Sequence, residues 1–262
     1  MKKVIWSLFD SETAITQELN SDEYIVYSIG LPSSSAITDN FISMDLSRKS
    51  CLKKLEKLPK PDIIFASPPC ETWITLNIGC VRFFKRNFNE HNLYWQKNFK
   101  PNNYMKKHKE LRLLGQKTSF YTWKIIEKFK PEIWCIENGV TSFLFRYLYK
   151  YHNAIGYKNM LCYKAYDEKF SVKRTVFFSN KKMVLKNNYK KTETKNVIAL
   201  NKSMRDKVRA TGEWEGFNSP TAYLKSFIIE KETYCERSEV PIQVYQHVLE
   251  HYEGKGQLAL FN

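Results

Sequence analysis

The sequence predicts an α/β fold, a doubly wound and mostly parallel sheet with helices on both faces. Three observations carry this. Four short segments are apolar on both alternating faces, as strands covered from both sides must be. Two of them flank a long amphipathic helix, and strand, helix, strand in that order is a crossover unit of right-handed sense. Each segment ends in turn-forming or polar residues, which gathers the loops at one edge of the sheet, where open α/β sheets hold their ligands.

Residues 3–9, KVIWSLF, read as the first buried strand and residues 24–29, YIVYSI, as the second, with helix-permissive sequence between them. Residues 62–66, DIIFA, are a third candidate, and residues 132–137, EIWCIE, a fourth. The clearest helix spans about 105–130, where Leu111, Leu114, Thr118, Tyr121, Ile125 and Phe129 recur at spacings of three and four. Pro131 ends it, and Glu132 opens the next strand. Beyond residue 180 the pattern changes to KKMVLKNNYKKTETKN, basic and weakly periodic, followed by TGEWEGFNSP. This predicts a core over 1–180 and a small inserted recognition region over 181–236. A helix over 237–256 then returns to the core, with Ser238 and Pro241 at its start and an apolar face of Val244, Tyr245, Val248, Leu249 and Tyr252. Residues 257–262 form a short tail.

Composition excludes several classes. An apolar share of 43% with 15% aromatics is too hydrophobic for disorder, and 262 residues suffice for a full core. The opening MKKVIWSLFDSE is not a signal peptide, because Asp10 and Glu12 interrupt its apolar run. No apolar stretch approaches membrane-spanning length, so no membrane partner is expected. The cysteines at 51, 70, 80, 135, 162 and 235 contain no C-x-x-C pair, which predicts no metal and no disulfide framework, and a reducing cytoplasm.

The net charge of +15 is concentrated. Residues 82–109 hold eight Lys/Arg against one acidic residue, and residues 181–209 hold ten against two, which together account for the whole excess. The first segment interleaves its cations with Phe83, Phe84, Phe88, Tyr94, Trp95, Phe99 and Tyr104. That mixture favours a polyanionic partner. Arg82, Lys85 and Arg86 in the first segment are the candidate contacts to that partner. In the second they are Lys181, Lys182, Lys190, Lys191, Arg205 and Arg209.

The third strand runs into Ser67-Pro68-Pro69-Cys70. Two prolines fix the backbone and remove two amide donors, so the cysteine sits on a rigid loop past a strand end. Glu137-Asn138-Gly139 closes the fourth strand and brings a carboxylate to the same sheet edge. Asn-Gly alone is an ordinary turn signal. Together, however, D-x-x-F-A-S-P-P-C and C-I-E-N-G, separated by one crossover helix, resemble two linked motifs of the cytosine-specific DNA methyltransferases that modify carbon 5, most closely the short phage and bacterial members.

The resemblance extends in order along most of the chain. LFDSETAI at 8–15 is similar to the family's first cofactor loop, Asp45 in ISMDL to the acidic residue after its third strand, and FSVKRTVFFSN at 170–180 to its arginine-bearing strand. RSEVPIQVYQHVLE is similar to its closing helix. The resemblance implies a Rossmann-like S-adenosylmethionine-dependent methyltransferase fold, with Leu8, Phe9, Asp10, Ser11, Thr13, Asp45 and Pro68 at the cofactor. It makes Cys70 the nucleophile that adds to carbon 6 of a flipped-out cytosine and Glu137 the acid/base partner at ring nitrogen 3. Arg174, or alternatively Lys173, is the cation near the exocyclic oxygen. Double-stranded DNA is the implied substrate, a monomer the expected state, and a bacterial or phage-infected cell the setting. The tail adds Gln257, Leu258, Leu260 and Phe261, which resemble the pentapeptide that docks on the bacterial DNA sliding clamp.

Two departures support an alternative. Ser11, Glu12 and Thr13 stand where the family's cofactor loop usually has glycine, and Ser28-Ile29-Gly30 stands where an acidic residue usually holds the ribose. A methyltransferase-fold DNA-binding protein with weakened cofactor binding is the second reading.

Overall fold

The structure is a computed structural model that describes residues 2–10, 15–32, 40–70, 73, 103–167, 170, 173–188 and 240–255, with backbone alone at 103–109. Seven strands form one sheet: β1 (Lys3–Leu8), β2 (Tyr24–Gly30), β3 (Phe41–Ser43), β4 (Ile63–Ala66), β5 (Ile133–Gly139), β6 (Tyr157–Cys162) and β7 (Arg174–Ser179). The helices are α1 (Ser50–Leu55), α2 (Asn103–Phe129), α3 (Leu144–His152) and α4 (Ile242–Tyr252), with short 3-10 turns at Ile15–Leu19 and Tyr163–Ala165.

The spatial order is β3-β2-β1-β4-β5-β7-β6. Strands β3, β2, β1, β4 and β5 run parallel to one another, whereas β7 is antiparallel to both β5 and β6. This is the doubly wound 3-2-1-4-5-6 order with a reversed seventh strand slotted between the fifth and sixth. The fold class is thus the expected one, an α/β fold built on a doubly wound, mostly parallel sheet.

Alternation along each strand divides the core in two. Trp6, Leu8, Ile64, Ala66, Trp134, Ile136, Val176 and Phe178 face α1, α2 and α3, meeting Leu55, Trp123, Ile125 and Leu144. Ile5, Val26, Ile63, Phe65, Ile133, Cys135 and Phe177 face the other way, onto Leu19 and onto Val244, Tyr245 and Val248 of α4. Each large side chain so buried contributes about 1.5–3 kcal/mol. Burial on both faces is why β1, β4 and β5 read as unbroken apolar runs.

The second half of the sheet departs from that pattern. β6 is an edge strand with exposed Tyr157, Lys158 and Met160, so its sequence, YKNMLC, carries little apolar signal. Segment 181–188 runs beside it: the Met183 amide donates to Asn159 Oδ1 at 2.8 Å and the Cys162 amide to the Lys186 carbonyl at 3.1 Å. Met183 and Leu185 are buried, so the chain adds to the core for several residues past 180. Among the described residues no helix is long and apolar enough to cross a membrane.

Candidate active site

The site builds up at the carboxyl ends of β1, β4 and β5. Past β4, the Ser67 amide donates to the Leu8 carbonyl of β1 at 3.2 Å, and the side-chain amide of the fully buried Asn138 donates to the Pro68 carbonyl at 3.1 Å. The loop is therefore tied to β1 on one side and β5 on the other. Beyond half-buried Cys70, the Trp73 amide donates to the Cys70 carbonyl at 2.8 Å, closing a turn. Trp73 is fully buried, its ring packs on Tyr147 at 4.9 Å, and the Arg112 guanidinium of α2 lies 3.9 Å from its centroid. Burial pushes the Arg112 guanidinium down to about 10. The Phe143 amide, just before α3, donates to the Trp73 carbonyl at 3.0 Å. Six contacts thus hold Ser67, Pro68, Cys70 and Trp73 in place around one thiol.

Glu137 lies on the sheet face that carries Ile133 and Cys135, with 7% of its surface exposed. The Tyr163 hydroxyl donates to Glu137 Oε1 at 2.9 Å, and Lys173 Nζ lies 3.5 Å from the same oxygen. Lys173 also sits over the Tyr163 ring, 4.8 Å from its centroid. Register explains which cation reaches the carboxylate. Glu137 pairs with Phe177, so residues 173, 175 and 177 share its face while Arg174, Val176 and Phe178 share the other. Arg174 is exposed at the start of β7.

At the adjoining edge, Phe9 adopts a left-handed conformation, φ 65°, that turns the chain after β1. The Asp10 carboxylate accepts hydrogen bonds from Thr16 and, at 3.3 Å, from Ser28. The backbone here is tight: a Cβ on Gly30 would lie 1.9 Å from the Asp10 carbonyl oxygen. Leu8 is buried, and Leu31 beyond β2 is 64% exposed. Asp45 is held in a local turn, accepting from the Ser47 amide at 2.9 Å, the Ser47 hydroxyl at 2.6 Å and Arg48 Nε at 2.8 Å. Those donors, Ser47 first, hold its carboxyl below the usual range. On the opposite flank the buried Tyr245 ring packs on Phe65 at 4.8 Å, and its phenol is pushed well up by burial and by the nearby Asp10 and Glu137.

No model of a known protein family matches the chain, and no curated protein matches it. Among solved structures, one similar chain is a candidate DNA modification methyltransferase encoded within an E. coli prophage. It is 12% identical, with a TM-score of 0.40 over 68% of this chain and 46% of that one. The chain spans less than half of that neighbour's length.

The structure thus gathers Cys70, Pro68, Glu137 and Lys173 with the ends of β1 and β2, where Leu8, Phe9 and Asp10 lie. Lys181 and Lys182 are exposed beside β7. Ser11, Thr13, Arg82, Lys85, Arg86, Lys190, Lys191, Arg205, Arg209, Gln257, Leu258, Leu260 and Phe261 lie outside the described residues. Among the described residues no three potential ligands cluster for a metal, and Cys51, Cys70, Cys135 and Cys162 form no disulfide with one another. Sequence reading missed Tyr163 and Arg112, which pairing in space alone brings to the site, and Trp73, which follows Cys70 by only three residues. Asn138 was legible as a turn residue and as part of the C-I-E-N-G motif, but not as the group that ties down the Pro68 carbonyl.

Proposed function

We propose that the protein is a DNA cytosine carbon-5 methyltransferase with Cys70 as its nucleophile. One observation carries this reading: the Pro-Pro-Cys loop is fastened by Asn138 to the strand whose preceding residue is Glu137, a buried carboxylate beside Lys173. A thiol and a carboxylate on adjacent strand ends suit addition to a ring carbon with a proton held at a ring nitrogen.

S-adenosylmethionine, a sulfonium cation carrying an adenine ring, fits the ends of β1 and β2. The Asp10 carboxylate there complements its positive charge, and exposed Leu31 offers an apolar surface to a flat base. Leu8, Phe9, Asp10 and Pro68 would line that site, with Ser11, Thr13 and Asp45 in its loops. When bound, it supplies an electrophilic methyl group. The chain's residues do the rest. The Cys70 thiolate adds to carbon 6 and drives its electron pair toward carbon 5, while Glu137 holds the proton at nitrogen 3 and Lys173 or Arg174 balances the charge at the exocyclic oxygen. After methylation, loss of the carbon 5 proton expels the thiolate and restores the aromatic ring.

Because a stacked base hides both faces, the target must be swung out of duplex DNA. The basic segments with Arg82, Lys85 and Arg86, and with Lys181, Lys182, Lys190, Lys191, Arg205 and Arg209, are the proposed DNA contacts. The protein works in the cytoplasm of a bacterial or phage-infected cell, tethered to the sliding clamp through Gln257, Leu258, Leu260 and Phe261.

The tight packing of Asp10 over Gly30, with Ser28 engaged by Asp10, favours one second reading. This is a methyltransferase-fold protein that binds DNA but holds the cofactor weakly. Labelled S-adenosylmethionine and duplex DNA separate the two. Label in carbon-5-methylated cytosine, absent with Cys70→Ala, supports the enzyme; DNA binding without cofactor binding supports the alternative.

A further inference from the structure

We propose that Tyr163 is a positioning residue for Glu137, locking one carboxylate oxygen so that the other faces the substrate base. This rests on the assignment of Glu137 to the base. Tyr163 begins the 3-10 turn after β6, is fully buried, and belongs to the core on the α4 side of the sheet. A buried phenol needs a partner for its hydroxyl, and Tyr163 finds it in Glu137 Oε1 at 2.9 Å.

Three features make this more than core satisfaction. Among the described residues, the two donors to Glu137, the Tyr163 hydroxyl and the Lys173 ammonium, converge on Oε1. A carboxylate has lone pairs on both oxygens, so concentrating its protein partners on one fixes the plane of the group and leaves Oε2 for a ligand. Tyr163 also places the second donor, since its ring lies under the Lys173 ammonium and its amide donates to the Lys173 carbonyl at 3.1 Å. Finally, burial and the charge of Glu137 push the Tyr163 phenol well above its ordinary value, so it keeps its proton and acts as a constant donor. Lys173, partly exposed, is free to respond to DNA or solvent; Tyr163 is not.

Removing the hydroxyl while keeping the ring separates orientation from packing. Tyr163→Phe should lower kcat by about 10- to 100-fold, a loss typical of impaired acid/base assistance, with the KM for DNA within about threefold. A purely structural role would lower thermal stability and leave kcat of the folded protein unchanged.

Two spectroscopic measurements need no turnover. The infrared carboxylate band isolated by subtracting Glu137→Gln from wild type should shift when the same pair is compared in a Tyr163→Phe background; an unchanged band overturns the proposal. Where Tyr163→Phe does not fold, Glu137→Gln in the wild-type background serves. The 13Cζ resonance of Tyr163 should then titrate at lower pH than in wild type, and an unchanged titration is equally contradictory. If wild type transfers no methyl group, the methyltransferase reading fails, while these spectra still decide the link between Tyr163 and Glu137.

Discussion

The side-chain amide of Asn138 donates to the carbonyl of Pro68 at 3.1 Å, joining the end of β5 to the loop that carries Cys70. Both groups are buried, and the two proline rings remove two amide donors from this loop. Replacing Asn138 with alanine strands the Pro68 carbonyl without a donor, at a cost of about 1–3 kcal/mol. Asn138→Ala should therefore melt earlier and, because the loop loses its register, react faster and less selectively with a thiol alkylating agent at Cys70. Melting curves and alkylation rates check both effects; an unchanged alkylation rate would mean that the loop is held by other contacts.

Trp73 fastens the same loop from beyond the cysteine, packed between Arg112 and Tyr147. Its truncation to alanine removes a fully buried indole and should cost about 3–5 kcal/mol. Trp73→Phe should recover most of that stability. Denaturant unfolding of the two variants reads the difference.

Gly30 is the tightest point near the proposed cofactor site. With a Cβ only 1.9 Å from the Asp10 carbonyl, Gly30→Ala must displace backbone rather than a flexible side chain. The loop after β1 should shift, with S-adenosylmethionine binding weakened at least tenfold by calorimetry. Retained affinity would place the cofactor away from β1 and β2.

Lys173 and Arg174 are separable by face. Since Lys173 shares the face of Glu137 and lies 3.5 Å from it, Lys173→Met should lower methyl transfer more than Arg174→Met. The reverse order in steady-state rates would assign the cation to Arg174.

One pH dependence follows from the strap formed by α4 and segment 181–188. His247 stacks on His251 at 5.0 Å, and its Nδ1 is 2.9 Å from the Tyr166 hydroxyl, which accepts from the Lys186 amide. Burial first, then the neighbouring His251, holds the His247 imidazole below its ordinary value; Lys186 acts the same way and Glu250 opposes. A depressed histidine binds its proton more readily when unfolded, so stability rises with pH through the window between its folded and unfolded values and is lost below it. Melting temperature should fall as pH drops from about 7 toward 5. His247→Gln should flatten that slope, which a set of melts across pH reads directly.

How much of this was legible in the sequence depended on burial and on locality. β1, β2, β4 and β5 stood out because both faces are covered, and their loops, with Cys70 and Glu137, came with them. β6 was hidden because an edge strand needs few apolar residues, and β3 because three residues give no period. The antiparallel run of β7 was equally hidden, since strand direction follows from connectivity rather than composition. Site partners such as Tyr163 and Arg112 come from pairing across 26 and 39 residues, for which local sequence holds no cue.

The central claim is that the Cys70 sulfur forms a bond to carbon 6 of cytosine in DNA. The most direct measurement is peptide mapping by mass spectrometry after incubation with S-adenosylmethionine and duplex DNA containing 5-fluorocytosine, whose fluorine blocks loss of the carbon 5 substituent and traps the adduct. One covalent protein–DNA species should form, mapped to the peptide containing SPPC and absent in Cys70→Ala. Carbon-5 methylation that persists in Cys70→Ala, or an adduct on another residue, would contradict it.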